Sequence, residues 1–88
     1  MNLKIIVYNK TRQYAGHTIE VAVKRKCTIK QLKEKLLDIT EIPLDTQCLI
    51  FGVQQLDDEK TLKQYFIRNG YTIYLTPTYV EVPDMPNL

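Results

Sequence analysis

One histidine and two cysteines are the residues of this sequence that most readily supply a general base or a nucleophile near neutral pH. His17 lies in a polar stretch, and no acidic residue stands at a spacing that would orient its ring. Cys48 has no neighbouring cation in sequence to stabilise a thiolate. The sequence also lacks a phosphate-binding glycine loop and a cluster of metal ligands. We therefore predict no catalytic residue, no metal, no cofactor and no enzymatic activity.

The two cysteines, Cys27 and Cys48, also bear on the cellular compartment. No apolar run approaches the roughly 18 residues that a membrane-spanning helix needs. The first ten residues lack the pattern of a signal peptide. Two cysteines without a secretory signal are typical of free thiols in a reducing compartment. We expect a cytoplasmic or nuclear protein without a membrane segment.

The charged residues are unevenly distributed along the chain, although the formal net charge is only +2. Residues 1–35 contain nine Lys and Arg against two acids, and residues 36–88 contain three against eight. The basic strip, defined as Lys24, Arg25 and Lys26, could contact phosphates. A short charge run is more often a solvated surface, and no nucleic-acid motif surrounds it. Nucleic acid is therefore a disfavoured partner.

Hydrophobic periodicity indicates the elements that hold these residues in place. Alternation over Leu3–Val7 and over Ile19–Val23 predicts two strands, and the turn-forming stretch Asn9–His17 joins them as a hairpin. Thr28 and Gln31 then form a capping-box pattern that predicts a helix start. One apolar stripe continues this helix through Ile29, Leu32, Leu36 and Ile39.

The helix is expected to stop at Ile42-Pro43, because the residue before a proline avoids helical angles. Gln47–Phe51 and Tyr71–Leu75 predict two further strands, and Asp58–Leu62 predicts a short helical turn. A hairpin, a crossing helix and more strands predict one α+β domain over residues 1–76, followed by an extended or disordered tail, 77–88. The predicted core contains Leu3, Ile5, Val7, Ile19, Val21, Val23, Ile29, Leu32, Leu36, Leu49, Leu56, Leu62, Ile67, Ile73 and Leu75.

The stretch from Thr18 to Leu75 resembles the ubiquitin-like, or β-grasp, family without a gap. The matching motifs are Ile42-Pro43, Leu49-Ile50-Phe51, Leu56, Thr61-Leu62 and Tyr65-x-Ile67. The resemblance implies a mixed sheet with one main helix packed across it. It further implies that Thr28 caps the helix, that the hydroxyl of Tyr65 bonds to backbone near Asp57, and that Lys33 pairs with Asp58.

The sequence departs from the family pattern at its C-terminal end. Family members that are conjugated end in two adjacent glycines, whereas the matching segment here is Thr76–Val82 and no two glycines are adjacent anywhere. Gln54 and Asn69 also stand where ubiquitin has its two best-known linkage lysines. The resemblance therefore implies a domain that is not conjugated through a diglycine.

The same resemblance implies a partner-binding sheet face that proteins of the proteasome and ubiquitin pathway recognise. Alternation independently directs Ile50 and Tyr74 away from the core. The residues expected on this face are Ile6, Tyr8, Cys48, Ile50, Gly52, Val53, Tyr74 and Thr76. A helix or small domain of a ubiquitin receptor is the expected partner, with the chain acting as a monomer.

Three alternatives to docking through this face are consistent with the same sequence. The tail could cover the sheet face, so that no partner is needed. The chain could be a stand-alone adaptor for one dedicated complex. A GTPase or another acidic partner could add a strand at the second-strand edge, where the basic strip would meet it.

Overall fold

Five strands and one main helix form the part of the chain that the computed structural model describes, residues 1–8 and 18–77. In chain order the elements are β1 (Asn2–Val7), β2 (Thr18–Ala22), α1 (Ile29–Thr40), a 3-10 turn (Leu44–Thr46), β3 (Leu49–Phe51), β4 (Gln54–Gln55), a second 3-10 turn (Lys63–Tyr65) and β5 (Thr72–Leu75). The predicted α+β fold is confirmed. The predictions for the loop Asn9–His17 and for residues 78–88 of the tail lie outside the described residues.

The strands form one mixed sheet in the order β2-β1-β5-β3-β4. β1 pairs with β5 in parallel, whereas the other neighbouring strands run antiparallel. Side chains alternate between the two faces of a strand, so Ile5 of β1, Ile73 of β5 and Leu49 of β3 all point to one face. These three side chains are fully buried, which identifies that face as the core side.

The core lies between this face and α1. Its members are Leu3, Ile5, Val7, Val21, Val23, Ile29, Leu32, Leu36, Ile42, Leu49, Leu56, Leu62, Ile67, Ile73 and Leu75. The predicted core is confirmed except at Ile19, which is only partly buried near the first residue of the edge strand β2, whereas Val21 of the same strand is buried. Ile42, which the sequence interpretation used only as a helix stop, is buried instead.

The ends of α1 follow the local sequence chemistry. The Thr28 hydroxyl accepts a hydrogen bond from the Gln31 amide at 3.1 Å, and the Gln31 side chain accepts one from the Thr28 amide at 3.0 Å. This confirms the predicted capping box, which satisfies two amides that the first helical turn leaves free. The helix ends at Thr40, shortly before Pro43, as the proline rule predicts.

The apolar stripe of α1 differs from the prediction at its C-terminal end. Ile39 is 39% exposed, whereas Thr40 is 5% exposed. At 3.6 residues per turn, position 40 lies about 20° from Ile29 around the helix axis and position 39 about 80° away. Burial of a hydroxyl needs a hydrogen-bond partner, and the Thr40 hydroxyl donates to the Leu36 carbonyl at 2.7 Å.

Two other boundaries differ from the sequence interpretation. The predicted strand Gln47–Phe51 begins only at Leu49, because Gln47 is buried and its side-chain amide donates to the carbonyls of Lys33 and Ile42 at 3.0 and 2.9 Å. The predicted helical turn at Asp58–Leu62 is wrong, since the second 3-10 turn forms at Lys63–Tyr65 instead. The short strand β4 was not predicted.

Two polar contacts connect the loop at Asp57 and Asp58 to α1 and to the second 3-10 turn. The Lys33 ammonium lies 2.6 Å from a carboxylate oxygen of Asp58, as the resemblance implies, and the Lys33 side chain is 10% exposed. Burial of an ammonium group costs free energy unless an anion such as the Asp58 carboxylate is paired with it. The Tyr65 hydroxyl accepts a hydrogen bond from the Asp57 amide at 2.8 Å, which confirms the expected tie between these loops.

Candidate partner-binding face

Three apolar side chains form a row across the sheet on the side opposite the core. Tyr74 of β5 pairs in register with Ile6 of β1 on one side and with Ile50 of β3 on the other. Each of them adjoins a fully buried residue in sequence, so strand alternation directs all three away from α1. The row therefore spans the three central strands and cannot be buried by the helix.

Tyr8 extends this row beyond the end of β1. Its ring stacks on that of Tyr74 with centroids 5.5 Å apart and planes inclined by 20°. The Tyr8 amide donates to the Leu75 carbonyl at 2.9 Å, which holds this residue against β5. We name the four residues Ile6, Tyr8, Ile50 and Tyr74 the sheet face.

The sheet face is less exposed than the sequence alone suggests. Tyr8 is 59% exposed, but Ile6, Ile50 and Tyr74 are only partly exposed. Directly paired side chains on neighbouring strands lie close enough to cover one another, and the Tyr8 ring shields part of Tyr74. The face is consequently a packed apolar surface whose outermost ring is that of Tyr8.

Gly52 and Val53 form the turn between β3 and β4, next to Ile50. Gly52 has a φ of +67°, a left-handed conformation that glycine adopts without strain. Val53 is fully exposed. The structure thus places both predicted residues at the rim of the sheet face, where an apolar Val53 side chain is available to a partner.

Thr76 and Cys48 lie at the other end of β3. The Thr76 amide donates to the Cys48 carbonyl at 2.9 Å. Cys48 is only 8% exposed, so the exposed position that the resemblance implies for it is wrong. The residue precedes β3 and lies outside the strand whose side chains alternate between the two faces. Cys48 can offer a partner little side-chain surface.

The comparison with protein families agrees with this geometry. A model of the ubiquitin family matches residues 5–77, which include all five strands except the beginning of β1. The chain belongs to the ubiquitin family.

Three relatives show how such a domain occurs in other proteins. The chain is 32% identical over 66 residues to the ubiquitin-like protein NEDD8 of Dictyostelium discoideum, covering 75% of this chain and 86% of that protein. It is 34% identical over 56 residues to the ubiquitin domain-containing protein DSK2 of Saccharomyces cerevisiae, covering 64% of this chain and 15% of that protein. A protein of Arabidopsis thaliana with LRR repeats and a ubiquitin-like domain is 35% identical over 65 residues, covering 74% of this chain and 17% of that protein.

The basic strip lies elsewhere on this ubiquitin-family domain. β2 ends at Ala22, and Lys24, Arg25 and Lys26 occupy the exposed turn between β2 and α1. The strip is therefore beyond the end of the edge strand instead of along it. Lys24 and Lys26 line a groove of about 460 Å³ between β2 and α1, together with Ala22, Val23, Cys27, Gln31 and Lys35.

Cys27, in the same groove, has the properties of a structural thiol. Its Sγ donates to the Thr28 carbonyl at 3.3 Å, and both cysteines are free. Burial raises the pKa of the Cys27 thiol above its ordinary value, and the nearby Lys35 only partly offsets this effect. The reactive thiolate is consequently scarce near neutral pH.

Other kinds of site are absent from residues 1–8 and 18–77 in two respects. Within those ranges no group of three or more His, Cys, Asp or Glu side chains is arranged to hold a metal ion. No helix there is long and apolar enough to cross a membrane.

One exposed aromatic residue was missed by the sequence interpretation. Phe66 follows the second 3-10 turn and is 76% exposed. The motif Tyr65-x-Ile67 could have indicated this exposure. Tyr65 packs against the core and Ile67 is buried in it, so the residue between them points elsewhere.

Proposed function

We propose that this domain binds other proteins through the sheet face and has no catalytic activity of its own. The observation that carries the proposal is the in-register row of Ile6, Tyr74 and Ile50, extended by the stacked ring of Tyr8. A contiguous apolar surface of this kind usually marks a binding site. Aromatic residues near its centre are well suited to anchor a partner.

The partner that suits this surface is an apolar helix or a small domain of a ubiquitin receptor or a proteasome-associated protein. Two of the relatives are much longer than this chain, which spans about a sixth of their length. They support a role as a docking domain of the kind found within larger proteins. The proposal further assigns the domain to the cytoplasm or nucleus, as a monomer. The match to most of NEDD8 supports the alternative, a stand-alone adaptor for one complex.

We expect no covalent conjugation of this chain through its C-terminal end. The activation chemistry of the family uses two adjacent glycines, and the 88 residues contain none. Incubation with ubiquitin-family activating enzymes and ATP should therefore yield neither a thioester nor an isopeptide adduct, as judged by non-reducing gels and mass spectrometry. Ubiquitin in the same reactions is the positive control. An adduct linked through the C-terminus of this chain would disprove the expectation.

A second candidate function is strand addition at the edge of β2. This strand is outermost in the sheet, and an acidic peptide could pair with its outer edge. The groove beside it carries Lys24, Lys26 and Lys35, whose charges would attract such a partner, for example a GTPase surface. The sheet face remains the favoured site because apolar contact area contributes more to affinity than solvated lysines do.

The two candidates are separated by comparing Ile50→Ala with a triple alanine variant of the basic strip. Titration with ubiquitin-receptor helices, followed by calorimetry, should show a loss of about five- to 150-fold for Ile50→Ala. The triple variant should change mainly the salt dependence. Ile39→Ala is the matched control, since it removes an exposed apolar side chain of α1, on the side of the sheet opposite the sheet face. Abolished binding by the triple variant with a silent Ile50→Ala would replace the sheet face by the β2 edge.

A further inference from the structure

We propose that a second site, which we name the Phe66 pocket, binds an acidic peptide segment of a partner protein that carries one bulky apolar side chain. The pocket has a volume of about 450 Å³. It is lined by Met1, Arg25, Lys63, Phe66, Ile67, Arg68 and Asn69. It shares no residue with the sheet face, and the proposal does not depend on that surface.

The charge of the lining is the first observation. Arg25, Lys63 and Arg68 contribute three cations, and none of the lining residues is acidic. Across residues 1–8 and 18–77, none of these three side chains forms an ion pair, in contrast to Lys33 with Asp58. Unpaired cations in one concavity raise the local concentration of anions. Arginine also binds carboxylates through two parallel hydrogen bonds.

The conformation of Phe66 is the second observation. Its φ is +58°, which is an outlier for a bulky residue, and its side chain is 76% exposed. Its amide donates to the Lys63 carbonyl at 3.0 Å and closes the second 3-10 turn. Asparagine or glycine would serve this turn with less strain. The Phe66 ring is not buried, and the turn does not favour phenylalanine at this position. Contact with a ligand is therefore the best explanation for the ring.

The walls of the pocket are held by backbone hydrogen bonds between distant segments. The Lys63 amide donates to the Arg25 carbonyl at 2.9 Å, and the Gly70 amide donates to the Asn2 carbonyl at 2.7 Å. The Asn2 amide in turn donates to the Asn69 side chain at 2.7 Å. The cations and the ring therefore project from a fixed backbone, which reduces the ordering cost of binding.

The dimensions favour a peptide over a nucleic acid. A pocket of about 450 Å³ suits one large side chain and its immediate neighbours. Single-stranded nucleic acids bind along extended basic grooves with several stacking rings. The pocket has a single aromatic residue, and the formal net charge of the chain is only +2. A peptide with acidic side chains around one apolar residue can contact both the three cations and the Phe66 ring of the pocket.

The Phe66 pocket and the sheet face lie at opposite ends of β1. Met1 lines the pocket, whereas Tyr8 lies beyond the other end of the strand. Seven residue steps at the rise of a β-strand separate these positions by roughly 20 Å. A peptide seated against Met1 therefore leaves the Tyr8 ring uncovered.

The test is a titration of the isotope-labelled chain with a capped heptapeptide that has one central phenylalanine between glutamate and aspartate residues, followed by NMR. Chemical-shift changes are expected at Arg25 and across 63–70, and not at Ile50 or Tyr74. Phe66→Asn should weaken binding about tenfold. Asparagine suits a positive φ, so this variant keeps the fold while removing the ring. Ile39→Ala, which truncates an exposed side chain of α1, should leave the peptide affinity unchanged.

Controls distinguish the chemistry of the ligand. Replacing the acidic residues of the peptide by lysine, or its phenylalanine by glycine, should abolish detectable binding. The double variant Arg25→Gln with Arg68→Gln should lower the affinity and flatten its salt dependence. The proposal is overturned by a silent Phe66→Asn, by equal binding of the glycine peptide, by shifts confined to other surfaces, or by a thymidine oligonucleotide that binds more tightly than the acidic peptide.

Discussion

Replacement of Leu49 by alanine is expected to lower the free energy of unfolding by roughly 2–5 kcal/mol. Leu49 is fully buried and pairs across the sheet with Leu75, which is fully buried as well. The loss combines the transfer free energy of the removed methyl groups with the cost of the cavity that remains. A domain of this size has only about 5–15 kcal/mol of total stability, so the variant should unfold at a much lower urea concentration. Circular dichroism measures the shift.

Val53→Ala is the matched control for this measurement. Val53 is fully exposed at the turn after β3, four residues from Leu49 in the chain. Its truncation should change the stability by less than about 0.5 kcal/mol. If Leu49→Ala costs less than about 1 kcal/mol, the register that places Leu49 on the core side is wrong.

Replacement of Tyr74 by alanine should weaken binding to a ubiquitin-receptor helix by about 1–3 kcal/mol, which is roughly five- to 150-fold. Tyr74 occupies the middle of the row and touches neighbours on both sides, because it pairs with Ile6 and Ile50 and stacks on Tyr8. Its removal deletes a central aromatic contact and the support of the Tyr8 ring. Calorimetric titration measures the affinity, and an unfolding curve verifies that the fold is intact.

A double-mutant cycle with Tyr8→Ala tests whether the stacked pair acts as a unit. Each single variant already removes the support that one ring gives the other. The loss of binding free energy for the double variant should therefore be smaller than the sum of the two single losses, by about 0.5–3 kcal/mol. Full affinity in both single variants would remove the sheet face as the binding site.

Much of the fold was predictable because local signals agree with the final packing. Strict alternation in β1 and β5 specifies which residues are buried, since one face of each strand packs against the core. The capping box needs only residues three apart in sequence, so Thr28 and Gln31 mark the start of α1 without any tertiary contact. The row of outward residues on the sheet face follows from the same alternation.

The errors occur where a residue's environment depends on distant segments. Gln47 is removed from β3 by hydrogen bonds to carbonyls of the helix and of the loop after it. Cys48, which the resemblance places on the partner-binding face, is buried just before β3 begins. The identity of a single side chain does not specify such neighbours, so neither the strand pattern at Gln47 nor the resemblance at Cys48 gives the observed burial.

Strand and helix periodicities are local properties, so the sequence specified most of the core and the outward direction of Ile50 and Tyr74. The fold family followed from the resemblance of Thr18–Leu75 to the ubiquitin-like family. The depth to which the sheet face is buried depends on cross-strand neighbours such as Tyr8 and Tyr74, so it follows only from the folded packing. The Phe66 pocket likewise exists only in the folded chain. Arg25 and Phe66 are far apart in the chain, and the long-range hydrogen bond between the backbones of Lys63 and Arg25 brings their segments together.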